Sequence, residues 1–279
     1  MDRSKNNIQD IIMRSLRVEY LAPSNVILRP CHETRTFFRR TIPAINQYTG
    51  GRVWFEKRGE PPQTVEDGCG ILIRSNFPYR SGISNATTRR RGISFRLAIL
   101  GGMDPLLLLE PPFLLDRETA DTVGTLNREL FAARAEDNFL ANAARTAETG
   151  LRLLLEIIRR SQLRPDAALR LELHETLRPV FDFIHENYNS DIPVKRLARL
   201  TSLSESRFFR VFKNVSGLSP NQYILNYRLK KAEEMLLGDA YIYEIAEKTG
   251  FQDQYYFSRI FRKKTGMTPR QFRHNASFL

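Results

Sequence analysis

The spacing of hydrophobic and polar positions changes partway along the chain. Between about residues 25 and 115, short apolar segments alternate with turns rich in Gly, Pro and Asp, such as 58–62 and 66–68. After Pro111 and Pro112, apolar residues recur every three or four positions, and this helical period continues to the C-terminal end. The pattern predicts an α+β multidomain chain, with a β-barrel or sandwich first and an all-α region afterwards.

This change of pattern predicts five segments. They are an N-terminal arm, 1–20; a β domain, 21–115; a helical region, 116–160; a polar linker, 161–170; and a helical C-terminal domain, 171–279. The arm is either a disordered tail or a segment that covers a ligand, and a barrel of this size can hold one small ligand. Strands are predicted at 25–29, 35–38, 44–48, 52–57, 69–74 and 93–100.

The helical region 116–160 carries an apolar stripe, which consists of Leu140, Ala144, Ala147, Leu151, Leu154, Leu155 and Ile158. These residues recur every three or four positions, so they share one helix face. The stripe either packs on the β domain of its own chain or pairs with the same stripe of a second copy. We favour the second copy because the stripe runs over several turns, and we therefore predict a homodimer with a helical dimerisation region.

An internal repeat organises the C-terminal domain. The segment 197–203 matches 245–251, whereas 210–213 matches 259–262, so the second copy has one more residue at its turn. Each copy consists of two short amphipathic segments around a turn. Each copy ends in Gly, an apolar residue, Ser or Thr, and Pro, in which the Gly is a helix C-cap and the Ser or Thr is the N-cap of the next helix. The repeat predicts two helix-turn-helix units, at about 193–213 and 241–264, joined by a helix over 219–237.

The charge of the chain favours a polyanionic partner. The formal net charge is +12, the pI is about 9.9, and the segment 255–273 contains six basic and no acidic residues. Such a surface is typical of nucleic-acid binding. The first unit is also basic, with a single acidic residue, Glu205, against Lys195, Arg196, Arg199, Arg207, Arg210, Lys213, Arg228, Lys230 and Lys231.

Two further observations concern the compartment. No segment has the length and hydrophobicity of a membrane span or a signal sequence, so we predict a cytoplasmic protein without membrane contact. Cys31 and Cys69 lack CxxC spacing, which in a reducing compartment predicts inert packing residues.

Over residues 177–273 the chain resembles the AraC/XylS family of bacterial transcription regulators. The most specific part is 245–273, IAEKTGFQDQYYFSRIFRKKTGMTPRQFR, which combines apolar, Gly, aromatic and Pro positions. The resemblance implies that double-stranded DNA is the partner and that the early and middle turns of each recognition helix contact bases. By position, the base-reading residues are Ser206, Arg207, Arg210, Gln254, Tyr255 and Arg259. The residues expected at phosphates are Lys213, Arg262, Lys263 and Lys264.

Phe209 departs from the family pattern. It lies in the first recognition helix, at a position where the family usually has a polar residue. Its ring either touches a thymine methyl group or packs within the protein, and we favour packing or a partly exposed apolar contact.

The β domain resembles the cupin-like sensor of arabinose-responsive members, through the succession of turns and strands in 59–82. Enzymatic cupins hold a metal with a His cluster, whereas His32 is the only His before residue 174. We therefore predict a cupin-like jelly roll that binds a small-molecule effector and has no metal, cofactor or catalytic residues. Trp54 is a candidate for stacking on a sugar-like or aromatic effector, and Arg80 and Arg96 for binding an anion. The alternatives are an ordinary core Trp and solvent-exposed arginines.

Together these features predict a sequence-specific, effector-responsive regulator that binds DNA as a dimer. The resemblance adds RNA polymerase as a partner and activation as the usual outcome. Two other classes compete with this function. One is an architectural DNA-binding protein, against which the polar base-reading positions argue. The other is an enzyme, against which the lack of a GxSxG motif, a phosphate-binding Gly loop and a Cys/His pair argues.

Overall fold

The chain folds into two compact units, Met1–Arg164 and Pro165–Leu279, in a computed structural model. The structure describes residues 12, 14–30, 37–39, 42–75, 77–83, 86–100, 102–236, 238–265 and 267–276. The boundary between the N-terminal and C-terminal units falls inside the predicted linker, 161–170. Much of that segment is regular structure, however, because Gln162 and Leu163 pair with Glu110 and Leu109 and a helix begins at Ala167.

Strands form most of the N-terminal unit up to residue 115, and two helices follow. The strands are β1 (Arg17–Leu28), β2 (Phe38–Arg39), β3 (Ala44–Thr49), β4 (Val53–Lys57), β5 (Gln63–Val65), β6 (Gly70–Ile73), β7 (Pro78–Ile83), β8 (Thr88–Ala98), β9 (Leu109–Glu110), β10 (Leu114–Leu115) and β11 (Gln162–Leu163). A 3-10 helix lies at Pro105–Leu108. The helices are α1 (Arg117–Arg134) and α2 (Phe139–Arg159).

Two sheets pack face to face, and the helices cover the larger one. The five-stranded sheet has the order β1-β8-β3-β6-β10 and the four-stranded sheet the order β2-β7-β4-β5. Tyr48 of the larger sheet and Phe55 and Tyr79 of the smaller sheet are buried in one cluster between them. The other face of the larger sheet buries Leu21, Ile45, Leu72, Ile93, Phe95 and Leu97 against α1 and α2. Nonpolar side chains therefore cover both faces of the larger sheet.

Three strands were predicted close to their observed bounds, and the others were shifted or missed. The predictions 44–48, 52–57 and 69–74 correspond to β3, β4 and β6. β1 begins at Arg17, inside the predicted arm, because it pairs with β8 from Arg17 opposite Ala98 to Leu28 opposite Thr88. β5 and β7 were missed, since Pro and Gly in β7 weaken the strand signal. Residues 1–11 of the predicted arm, 35–36 of a predicted strand, and Cys31 and His32 lie outside the described residues.

The predicted helical region 116–160 consists of two helices. Asn138 begins α2, and its side-chain oxygen accepts hydrogen bonds from the amides of Leu140 and Ala141. α2 turns Leu153 and Ile157 onto the sheet. Most of the predicted stripe lies on another face of α2: Leu140, Leu151, Leu155 and Ile158 are 44–66% exposed, and only Leu154 is buried. The stripe therefore does not pack on its own β domain.

The C-terminal unit is helical, as predicted. Its helices are α3 (Ala167–Asn187), α4 (Val194–Arg199), α5 (Glu205–Ser216), α6 (Pro220–Leu236), α7 (Ile242–Lys248), α8 (Gln254–Thr265) and α9 (Pro269–Ala276). They enclose two hydrophobic cores, one around Phe208 and Phe212 and one around Phe257 and Phe261. The joining helix α6 contributes Ile224 to the first core and Leu229, Ala232 and Leu236 to the second.

His174 is a buried titratable group of the first core. Its ring is 3% exposed and stacks on Phe181, with the ring centroids 4.8 Å apart. Burial lowers the pKa of His174 to about 4, although the negative charge of Asp182 opposes this decrease.

We predict that acidification destabilises the C-terminal unit through His174. Its pKa is about 4 in the folded state and 6.5 in the unfolded state, so the unfolded chain takes up a proton first. The contribution of His174 to the free energy of unfolding is present above pH 6.5 and is lost as the pH falls towards 4. Between pH 7 and pH 5 we expect a loss of about 2 kcal/mol in the free energy of unfolding. Urea unfolding at both pH values should show a smaller loss for His174→Phe than for the wild type; an equal loss would contradict the assignment.

Candidate nucleic-acid interface

The first helix-turn-helix unit consists of α4, a turn and the recognition helix α5. Ser204 begins α5, and its hydroxyl accepts a hydrogen bond from the amide of Arg207 at 3.4 Å. Phe208 and Phe212 are fully buried, which fixes the rotation of α5 about its axis. The opposite face is therefore solvent-exposed and carries the predicted contact residues Ser206, Arg207, Arg210 and Lys213.

The second unit repeats this arrangement with a different cap. Asp253 precedes α8, and its carboxylate accepts hydrogen bonds from the amides of Tyr255 at 2.9 Å and Tyr256 at 3.0 Å. Phe257 and Phe261 are fully buried and orient α8 as their counterparts orient α5. The predicted contact residues Gln254, Tyr255, Arg259, Arg262 and Lys263 are exposed.

Two further residues of α8, Tyr256 and Lys264, each have a cationic neighbour. Tyr256 is 42% exposed, and the guanidinium of Arg259 lies 5.6 Å from its ring centroid. This cation–π contact positions Arg259 on the outer face of α8. Lys264 is partly buried, and burial together with the positive charge of Lys263 lowers the pKa of its ammonium group. Its contact with a phosphate stays a prediction.

The outer face of α8 and the start of α9 enclose an open cavity of about 550 Å³. It is lined by Ser258, Arg259, Arg262, Lys263 and Thr268. Three of these five side chains are cationic, so the cavity favours an anionic group such as a phosphate of the DNA backbone.

The two predicted N-cap residues, Ser219 and Thr268, form capping boxes. In the first, the Ser219 amide donates to the Gln222 side chain at 3.2 Å and the Gln222 amide donates to the Ser219 hydroxyl at 3.4 Å. In the second, the Thr268 amide and the Gln271 side chain are 2.9 Å apart, and the return bond is 3.2 Å. These reciprocal hydrogen bonds fix the residue at which the loop after each recognition helix ends and the next helix begins. The predicted C-cap Gly217 has a φ of 71°, whereas Gly266 lies outside the described residues.

The turns of the two units use different residues in the same conformation. Gly250 has a φ of 81° in the second unit, and Ser202 has a φ of 55° in the first. A left-handed conformation costs a residue with a Cβ roughly 1–2 kcal/mol, whereas Gly adopts it freely. A Cβ on Gly250 would also lie 2.8 Å from the backbone of Asn189, so only Gly fits there.

Arg228 fastens the joining helix α6 to the end of α3. Its Nε donates to the carbonyl of Tyr188 at 2.6 Å and its Nη2 donates to the carbonyl of Ser190 at 2.7 Å. Burial lowers the pKa of Arg228, while Asp191 and Tyr256 oppose the decrease. The charge pattern of the sequence placed Arg228 among the cations expected to face DNA. Its role could not be seen there, because only the fold brings these two carbonyls to it.

Phe209 is partly exposed and is not a core residue. Its side chain is 44% exposed, although Phe208, the residue before it, is fully buried. Phe209 is exposed, as Arg210 is, and lies at the border between the outward face of α5 and its buried face.

The structure does not bring the three effector candidates together. Val53 and Phe55 of β4 face the cluster between the sheets, so Trp54 lies on the outer face of the smaller sheet. Arg80 is on that outer face too, where its guanidinium lies 6.0 Å from the Trp54 ring and donates to Glu56 at 2.7 Å. Trp54 and Arg80 therefore do not line the space between the sheets, because strand alternation directs them away from it.

Arg96 lies on the face of β8 opposite Phe95 and Leu97, which pack towards the helices. Burial raises the pKa of the nearby Asp104 to about 6, and the hydrogen bond from the Leu106 amide and the positive charges of Arg74 and Arg96 oppose this increase. Arg96 therefore lies within the electrostatic range of a buried carboxyl group. Across the described residues, no group of three or more His, Cys, Asp or Glu side chains is placed to hold a metal ion.

Comparisons with known proteins agree with this architecture. A family model described as a helix-turn-helix domain matches residues 197–275. The chain is 28% identical over 222 residues to LumQ, a probable transcriptional regulator of Photobacterium leiognathi, covering 77% of this chain and 85% of LumQ. It is 31% identical over 141 residues to the transcriptional activator RhaS of Salmonella schwarzengrund, and this match covers 50% of each chain.

A solved structure shares the whole fold. The structure of wild-type ToxT from Vibrio cholerae strain SCE256, bound to an unsaturated fatty acid, superimposes with a TM-score of 0.53 over 91% of this chain and 94% of ToxT. The sequence identity is 14%, so the likeness concerns the fold. A mostly-β N-terminal unit with a helical C-terminal unit is therefore an arrangement found in a known protein.

The fold, the paired helix-turn-helix units and these relatives define a DNA-binding transcription regulator. The helix-turn-helix match and these relatives support a regulator of the AraC/XylS type. In the part of the chain that the structure describes, no helix combines the length and the hydrophobicity that crossing a membrane requires.

We predict opposite effects when the two turn residues are exchanged. Ser202→Gly relieves a left-handed conformation and should raise the free energy of unfolding by about 0.5–1 kcal/mol. Gly250→Ser introduces that conformation together with a contact on the Asn189 backbone, and we expect it to lower the free energy by more than about 2 kcal/mol. Urea unfolding of the full-length protein measures both values. Equal effects of the two substitutions would show that the turns tolerate a side chain equally.

Proposed function

We propose that the protein is an effector-responsive transcriptional activator that binds tandem major-groove half-sites as a dimer. The observation that carries this proposal is the pair of exposed recognition faces on α5 and α8, each oriented by two fully buried Phe residues. Both helices pack against one joining helix, α6, so their separation is fixed within the C-terminal unit. A separation of about 34 Å would place them in successive major grooves on one side of the duplex.

The chemistry of the two faces supports base reading in addition to phosphate binding. Arg210 and Arg259 are exposed at equivalent positions, and a guanidinium donates two parallel hydrogen bonds to guanine. Gln254 lies in the first turn of α8, where an amide can bind adenine. An architectural DNA-binding protein would need the cations but not these placed polar groups.

The exposed part of the α2 stripe supports dimerisation. Leu140, Leu151, Leu155 and Ile158 are each at least 44% exposed, and their spacing is the three-and-four alternation of a helix pair. A second copy presents the same stripe about a two-fold axis, so each copy would cover the apolar residues of the other.

The N-terminal unit supports an effector-binding role through its two packed sheets. ToxT, which has the same fold, binds an unsaturated fatty acid, so an amphipathic carboxylic acid is the first class of effector to test. Of our three candidates, Arg96 lies on the face of β8 that points away from the helices, and we propose it for the contact with the carboxylate. An effector acts by binding one arrangement of the dimer better than another, which changes the half-sites that the DNA-binding units reach together. RNA polymerase, by resemblance to the family, and a cytoplasmic location complete the proposal.

We predict that Arg210→Ala and Arg259→Ala each relax base preference in a different half-site. The full-length protein would first select its sequence from a random pool of duplex DNA, and footprinting would then locate two protected segments about one helical turn apart. Each substitution should reduce discrimination by about 1–3 kcal/mol at one segment and leave the other unchanged.

The control for this prediction is Arg178→Ala, which removes an exposed α3 arginine that lies 3.6 Å from Glu175. It should leave the preference at both segments intact. Equal weakening on all sequences by Arg210→Ala and Arg259→Ala would favour the architectural function instead.

We predict that Leu151→Asp with Leu155→Asp converts the dimer into monomers. The two carboxylates would be buried without partners in a paired stripe, which costs several kcal/mol in the dimer and little in the monomer. Sedimentation velocity measures the change. Ile27→Asp is the matched control, because Ile27 is also an exposed apolar residue, at 61%, but lies on β1 outside the stripe. A double variant that still sediments as a dimer would exclude the stripe as the interface.

A further inference from the structure

We propose that Phe209 recognises the 5-methyl group of a thymine in the half-site contacted by α5. This inference rests on the proposed function, because it assigns a base to one residue of that recognition surface. It concerns a position that the resemblance to known regulators does not explain.

Phe209 differs in burial from the other two Phe residues of α5. Phe208 and Phe212 are fully buried and their ring centroids lie 5.5 Å apart, whereas Phe209 is 44% exposed. Phe209 follows Ser206 by three residues and precedes Lys213 by four, so the three side chains are neighbours on the outward face. Ser206 and Lys213 are exposed as well. The Phe209 ring therefore borders the predicted DNA-contacting surface, on the side of Ser206 and Lys213.

The chemistry of the major groove leaves one suitable target for such a ring. Base edges there present hydrogen-bond donors and acceptors, and the only apolar group is the C5-methyl group of thymine. A Phe ring has no hydrogen-bonding group, so against any other base edge it would desolvate polar atoms without replacing their hydrogen bonds. Arg210 and Lys213 beside it supply the attraction to phosphates and guanine that holds the helix in the groove. The ring then adds selectivity for thymine.

The second unit provides a comparison within the same chain. In the repeat, the residue equivalent to Phe209 is Ser258, which lines the cationic cavity on α8 together with Arg259 and Arg262. The hydroxyl of Ser258 can donate to or accept from several bases and gives no preference for a methyl group. The two half-sites of one protein should therefore differ, with a methyl-dependent position only in the one bound by α5.

The test replaces single thymines by deoxyuridine in the duplex that the full-length protein selects from a random pool. Deoxyuridine keeps every hydrogen-bonding group of thymine and lacks only the methyl group. For the wild type we expect one position in the α5 half-site at which the substitution weakens binding about fourfold, the factor that corresponds to burial of one methyl group. Phe209→Ser should lose this sensitivity at that position, whereas Phe209→Leu, which stays apolar, should keep most of it.

A second substitution isolates the methyl group on a different base. With cytosine at the sensitive position, the wild type should bind a 5-methylcytosine duplex more tightly than an unmethylated duplex by a similar factor. Phe209→Ser should bind the two equally. Ser258→Ala is the matched control on α8 and should retain the methyl sensitivity of the wild type in the α5 half-site.

The outcomes separate this inference from the proposed function. If the wild type selects a sequence but no thymine is methyl-sensitive, or if Phe209→Ser keeps the sensitivity, the assignment of Phe209 is wrong and the regulator function stands. If the wild type selects no sequence, the proposed function fails and this inference fails with it. A lower Tm of Phe209→Ser together with equal weakening on every duplex would show that Phe209 packs within the protein, which also overturns the assignment.

Discussion

The contact between Arg228 and the loop after α3 is the constraint on which the C-terminal unit depends. Two carbonyls that the end of α3 leaves free, those of Tyr188 and Ser190, accept hydrogen bonds from one guanidinium on α6. The residue between them, Asn189, approaches Gly250 so closely that no side chain fits there. One three-residue loop therefore holds the joining helix and the turn of the second unit, and it fixes where both recognition helices can lie.

The two units have the same arrangement of helices, but the conformational strain at their turns differs. In the second, Gly250 allows the close approach of Asn189 and the left-handed turn without strain. In the first, Ser202 adopts a similar φ with a Cβ present. The burial of paired aromatics is the same in both, and this is why the outward faces, which carry different side chains, are presented in the same way. The repeat thus conserves orientation and leaves the recognition chemistry free to differ between units.

Much of the C-terminal unit could be predicted because its determinants are local. The four-residue spacing of Phe208 and Phe212, and of Phe257 and Phe261, fixes the buried face, and capping boxes fix the loops. The role of Arg228 could not be predicted, since its partners lie about 40 residues away and are backbone carbonyls that any sequence has. The positions of Trp54 and Arg80 on the outer face of the smaller sheet could not be predicted for a related reason. Alternation shows that Trp54 opposes Phe55, but only the packing of the two sheets decides which face is enclosed.

In the proposed effector response, helix α2 would link the N-terminal unit to dimerisation. A helical period of three and four residues cannot distinguish one apolar face from two, and α2 has two. Leu153 and Ile157 pack on the larger sheet, while Leu151 and Leu155 on the same helix are exposed. Because one rigid helix carries both sets, a ligand that shifts the sheet against α2 would also move the exposed stripe. The differential binding that an effector needs would then arise in the packing of a single helix, without any change in the recognition helices themselves.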